Sequence, residues 1–119
     1  MSINKSYYVI VGYDLTTAMT DKYEDWKWTN DGEQYLCNQV NGCIQLFDDP
    51  MSGSYLYLGY VIASGDKYDF KTQTFNPWHV TDLKRDVDKV ADELVQYGVI
   101  DDAKAKYIRF QIIVFEECR

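Results

Sequence analysis

Few side chains in this 119-residue chain have the type and spacing to do chemistry. Asp48 and Asp49 stand together before Pro50, and neighbouring carboxylates are oxygen ligands that a hard divalent cation accepts. The same residues open Asp48-Asp-Pro-Met-Ser-Gly53. Aspartate bonds its own backbone in such a turn, and Pro and Gly set the bend, so turn chemistry accounts for the pair without a metal. His79 is the single histidine and could serve as a general base. It stands beside Trp78 where a helix is predicted to start, a structural or solvent-facing position. Cys37, Cys43 and Cys118 are odd in number and lack CxxC spacing. One histidine leaves a Cys/His zinc site short of ligands. Only Arg119, beside Cys118, is placed to activate a thiol. Three reduced thiols are expected, as in a cytosolic protein. No GxGxxG, GxxxxGK[ST] or GxSxG occurs. No catalytic residue, metal ligand or cofactor is therefore expected, and an enzyme is unsupported.

Charge carries more information. Lys and Arg number 12 against 19 Asp and Glu, for a net charge of -7. That balance argues against direct nucleic-acid binding through phosphates. The excess is uneven. Residues 1–66 hold three basic residues and nine acidic ones, net -6, while residues 67–119 hold nine and ten, net -1. The acidic residues interleave with aromatics between Asp21 and Glu33. Asp21, Tyr23, Glu24, Asp25, Trp26, Trp28, Asp31 and Glu33 are the candidate partner-binding residues. A surface of this kind keeps a small protein soluble. It also suits a basic protein partner, since aromatics are enriched at interface hot spots and charge steers encounter. One version is mimicry of a nucleic-acid backbone. If Trp26–Trp28 is extended, both indoles share one side and Lys27 takes the other. The alternative is that the two tryptophans cover the second face of a sheet as core.

These residues must be positioned by a fold, and the hydrophobic pattern gives its plan. Ser6–Tyr13 is β-branched and aromatic on both faces, the pattern of a central strand. Its apolar run is too short to cross a membrane and lacks a signal-peptide cleavage site. Asp14–Gly32 is a long polar connection that should hold local order, with a helical turn near Asp21–Trp26 or an extended piece at Trp26–Thr29. Asn41-Gly42 predicts a type I′ hairpin pairing Val40 with Cys43, Gln39 with Ile44 and Cys37 with Leu46. Strands are predicted at Cys43–Phe47, Tyr55–Ala63 and Tyr68–Phe75. Leu83, Val87, Val90, Ala91 and Leu94 form one helical stripe within about Val80–Tyr97. Asn76 or Thr81 is the expected N-cap, Asp82 suits the positive helix end and Gly98 the C′ position. Lys84–Asp88 and Asp86–Lys89 read as an ordinary solvated face. In the last strand, Tyr107–Phe115, residues Ile108, Phe110, Ile112 and Val114 share one face.

Strands follow one another without alternating helices, which excludes a doubly wound fold. The expectation is one α+β domain over residues 1–119. It has an antiparallel β-sheet of five or six strands, a β-meander with one main α-helix on one face, and its first and last strands pair centrally.

Val11-Gly-Tyr-Asp-Leu15, Tyr23-Glu-Asp-Trp-Lys-Trp28 and Gln45-Leu-Phe-Asp-Asp-Pro-Met-Ser-Gly-Ser54 resemble small uncharacterised proteins of Gram-positive bacteriophages and prophages. The resemblance covers roughly the first half of the chain. It implies a small accessory protein acting in the host cytoplasm, of a kind that often inhibits host enzymes or defence systems. Three functions follow as expectations. The first is a non-enzymatic binding protein or inhibitor engaging a basic host protein. The second is a module binding a nucleotide-like small molecule in an aromatic-lined pocket. The third is a self-associating structural protein, a homodimer paired through a sheet face or edge.

Overall fold

The computed structural model describes residues 5–37, 43–48, 55–66, 69–72 and 79–118. Strand β1 (Lys5–Asp14) leads into a 3-10 turn, Thr16–Ala18, and two short helices, α1 (Tyr23–Trp26) and α2 (Asn30–Cys37). Strands β2 (Ile44–Asp48), β3 (Leu56–Gly65) and β4 (Phe70–Thr72) follow. The long helix α3 (Val80–Gln96), the short α4 (Asp102–Ala105) and β5 (Gln111–Cys118) complete the order.

The sheet is antiparallel in the order β2-β3-β1-β5, and β4 also pairs with β3. Two partners share one flank of β3: β2 takes Leu56–Tyr60 and β4 takes Ala63–Gly65. The class is α+β, as the pattern predicted. The first and last strands do pair, and β1 is interior because β3 holds its other side; β5 lies at the margin.

Side-chain alternation divides the core between the two faces. On the helical face, Tyr13, Ile44, Leu46, Leu56 and Leu58 pack against Val87, Val90 and Leu94 of α3. Each such buried aliphatic side chain contributes about 1.5–3 kcal/mol of transfer free energy. On the other face, Ile10, Phe47 and Val61 form a second cluster with Tyr8, Tyr55, Tyr57, Ile113 and Phe115. Ile112 and Val114 share a face as expected, yet that face is exposed there. The half-buried Ile113 and Phe115 and the buried Glu117 have the opposite parity, while Ile108 and Phe110 reach the main core from the segment before the strand.

Helix α3 ends as its sequence indicates. Gly98 has φ 79, Val99 N–H donates to the Leu94 carbonyl at 3.3 Å and Gly98 N–H to Val95 at 2.9 Å, the paired bonds of a Schellman motif. Its start differs from expectation. His79 is the N-cap and supplies no side-chain bond, Thr81 lies inside the helix, and Asn76 falls outside the described residues.

The other difference is α2. The residues before Asn41-Gly42 were expected to be strand, but Asn30–Cys37 is helical, so Cys37 has no strand pairing and Leu46 pairs with Leu58. The local reason is a cap: Gly32 N–H donates to Thr29 Oγ1 at 3.1 Å, and Asp31 and Glu33 occupy the positive first turn. Asn41-Gly42 and the predicted strand residues Tyr68 and Gln73–Phe75 lie outside the described residues.

Candidate functional site

The Asp21–Glu33 segment is folded around its aromatics. One helical turn separates Tyr23 from Trp26, which places both on the inner side of α1. Tyr23 is 3% and Trp26 8% exposed. Trp26 sits among Tyr23, Tyr35 and Tyr97, with ring centroids 6.1, 5.7 and 5.6 Å away. The expected helical turn is present, so the two indoles do not share a side. Trp28 lies past the end of α1 and is 75% exposed. Nor does Trp26 cover the second face of the sheet; it belongs to the cluster under α3.

The carboxylates turn the other way. Asp21, Glu24, Asp25, Asp31 and Glu33 are all exposed. Among the described residues, Asp21, Asp25, Asp31 and Glu33 enter no ion pair. The segment's own lysines are drawn away from this surface. Lys27 folds down, pairing with Glu24 at 3.1 Å and with Asp48 at 3.8 Å, its ammonium 5.4 Å from the Trp28 ring centre. Lys22 lies over Gly98, where the negative end of α3 favours a cation. The result is a carboxylate surface around one open indole, mounted on a packed aromatic base.

The segment is anchored where it begins. Thr20 N–H donates to the Val99 carbonyl at 3.0 Å, Asp101 N–H to Ala18 at 2.8 Å, and Thr20 Oγ1 to Gly98 at 2.6 Å. Three buried tyrosines add cross-links to carboxylates: Tyr23 to Asp48 at 2.9 Å, Tyr13 to Asp88 and Tyr35 to Glu93. Sequence reasoning missed these acceptors. Asp88 was legible as the Lys84 partner, and that pair forms at 2.8 Å, but no local spacing signals a bond to a residue 75 positions away. The expected Asp86–Lys89 pair is not among the ion pairs of the described residues; Arg85 pairs with Asp82 instead, at 3.3 Å.

Burial first, and then the carboxylate partner, push the Tyr13, Tyr23 and Tyr35 hydroxyls up from their ordinary value of 10.0. Each phenol is neutral in the fold and ionises more easily when unfolded. Its contribution to stability is therefore complete below pH 10 and is lost as pH rises above it. Alkaline unfolding followed by circular dichroism should begin above about pH 10. The phenolate absorbance of these three residues should appear together with the loss of structure.

Other chemistry remains sparse. Asp48 is engaged by Tyr23 and Lys27, and Asp49 lies outside the described residues. No group of three or more potential metal ligands occurs among the described residues. His79 is exposed, and Cys43 is a half-buried cysteine outside any disulfide. A cleft of about 460 Å³ opens between α3 and α4. Its floor includes Leu15, Ala91 and Phe110, and its rim includes Lys84, Asp88 and Asp92. Tyr13 meets Phe110 edge-on there, at 5.3 Å and 62°, so the two rings do not form a parallel slot for a flat ligand. No helix among the described residues is long and apolar enough to cross a membrane. Comparison with protein-family models, with curated proteins and with solved structures finds no match for this chain.

Proposed function

We propose that this protein is a non-enzymatic binding protein that engages a basic protein through the carboxylate surface of α1 and α2, with Trp28 as its aromatic anchor. In the phage-type setting suggested by the sequence resemblance, the partner is a host protein and binding inhibits it. The observation that carries this reading is the sorting within one short segment: Tyr23 and Trp26 are buried while Trp28 and five carboxylates face solvent. A solubilising coat does not require an open tryptophan, whereas an interface uses one. The packed base reduces the ordering cost of binding.

The test is capture from host lysate followed by affinity measurement on the identified partner. Replacing Asp21, Glu24 and Asp25 together by Asn, Gln and Asn should slow association and flatten its salt dependence. Trp28→Ala should raise the dissociation constant by roughly 30-fold, the effect of an interface hot spot. Neither change should move the melting temperature appreciably, since all four side chains are exposed. Unchanged affinity in both variants refutes the reading.

The cleft between α3 and α4 favours a second reading, a small-molecule module. A ligand at 100 times its dissociation constant would stabilise the fold by about 2.7 kcal/mol. A thermal-shift screen that stays flat counts against it.

A further inference from the structure

The cleft between α3 and α4 is apolar below and charged around its mouth. Its volume of about 460 Å³ falls in the range of small-ligand sites. One stripe of α3 lines it, made of Lys84, Asp88, Ala91, Asp92 and Val95, which the helical repeat brings to one side. Asp102, Lys106, Ile108 and Phe110 line it from α4 and the segment that follows. Ala91, Val95, Ile108 and Phe110 are only half-buried, so apolar surface stays in water there and would gain from being covered. Both lysines of the lining are already matched: Lys84 pairs with Asp88 at 2.8 Å and Lys106 with Asp102 at 3.5 Å. The other oxygen of Asp88 accepts from the Tyr13 hydroxyl. Asp88, Asp92 and Asp102 thus stand against Lys84 and Lys106, and Asp92 is left over. It enters no ion pair among the described residues, although Lys89 lies one turn before it on the adjoining surface.

We propose that this cleft binds a small organic cation, a compact apolar body carrying one ammonium group, with the body on Ala91, Val95, Ile108 and Phe110 and the ammonium at Asp92. An anionic ligand would have to break a lysine pair and then face Asp92. A cation meets a carboxylate that no lysine of the lining neutralises, and both existing pairs stay intact. Tyr13 and Phe110 meet edge-on, so the body is rounded rather than a flat slab held between rings. The proposal rests on the small-molecule reading of this cleft and narrows it, because the charges that favour an amine reject the phosphates of a nucleotide. It is separate from the carboxylate surface of α1 and α2 and stands without it.

NMR titration of the full chain with three probes of one shape tests the proposal: cyclohexylethylamine, the neutral cyclohexylethanol and the anionic cyclohexylpropionate. The amine should shift the backbone amide signals of Ala91, Asp92, Val95 and Ile108. It should bind about fivefold more tightly than the alcohol, the upper range for an ion pair at a surface, and the propionate should bind more weakly than either. Asp92→Asn should bring the amine to the affinity of the alcohol and leave the alcohol's own affinity unchanged. Circular dichroism should show that variant folded, since Asp92 is exposed. Added salt should narrow the gap between amine and alcohol in the unsubstituted chain. An alcohol or propionate that binds the cleft as tightly as the amine overturns the proposal, while the cleft still stands as a small-molecule site. So does an amine preference that survives Asp92→Asn. Amide shifts confined to other surfaces, or absent with all three probes, overturn the proposal and the small-molecule reading of the cleft together.

Discussion

Alanine at Gly12 should cost more than about 3 kcal/mol, a large share of the roughly 5–15 kcal/mol that holds a domain of this size together. Gly12 lies in the interior strand, opposite Gly59 on β3 and Gln111 on β5. A Cβ added there would overlap the Leu58 carbonyl oxygen and lie 2.5 Å from the Gly59 Cα. Both obstacles are backbone, so no rotamer change relieves them, and β1 and β3 must separate at this pair. The separation would spread to Leu56 and Leu58, whose buried side chains carry the contact with the helical layer. Urea denaturation followed by circular dichroism should give a much lower midpoint, or no cooperative transition. A midpoint near that of the unsubstituted chain would mean that the strands separate freely there.

The two tryptophans of the acidic segment should behave in opposite ways. Trp26→Ala removes the centre of the Tyr23–Tyr35–Tyr97 cluster and should cost about 3–5 kcal/mol. Trp28→Ala should stay within about 0.5 kcal/mol, because the side chain is mostly in solvent. Thermal melting of the two variants separates these outcomes. Trp26→Phe refines the comparison. The Trp26 Nε1 is buried and has no hydrogen-bond acceptor among the described residues, so the native indole already bears a desolvation cost. Phenylalanine removes that donor along with part of the ring, and its net loss should be well below that of alanine.

The sequence was most informative where periodicity and chain chemistry agreed. The stripe Leu83–Leu94 with Gly98 after it gave α3 and its C-terminal motif, because both signals are local. The β-branched run Ser6–Tyr13 gave the interior strand for the same reason. The failure at α2 came from competing signals. Asn30-Asp31-Gly32 reads equally as a turn or as the first turn of a helix capped by Thr29, and the packing of Tyr35 on Trp26 decides between them. That contact joins separate elements and leaves no local pattern. Which face of β5 turns inward was not legible for a similar reason. Alternation shows which residues share a face, but only the span of the helical layer determines which face is covered. At the candidate site the charges were legible, whereas the inward turn of Lys27 and the tyrosine–carboxylate bonds depend on distant residues.

The order of strands in the sheet also bears on how the chain acquires its structure. β1 is made first and sits inside, yet its two partners are β3 and the last strand, β5. Contacts so far apart in sequence must wait for the intervening chain, and topologies dominated by them fold slowly. On a translating ribosome, β1 keeps one flank open until Gln111–Cys118 has emerged. Its apolar residues are then exposed to other chains, and a chaperone that covers extended apolar segments has the interval between the synthesis of β1 and that of β5 in which to act.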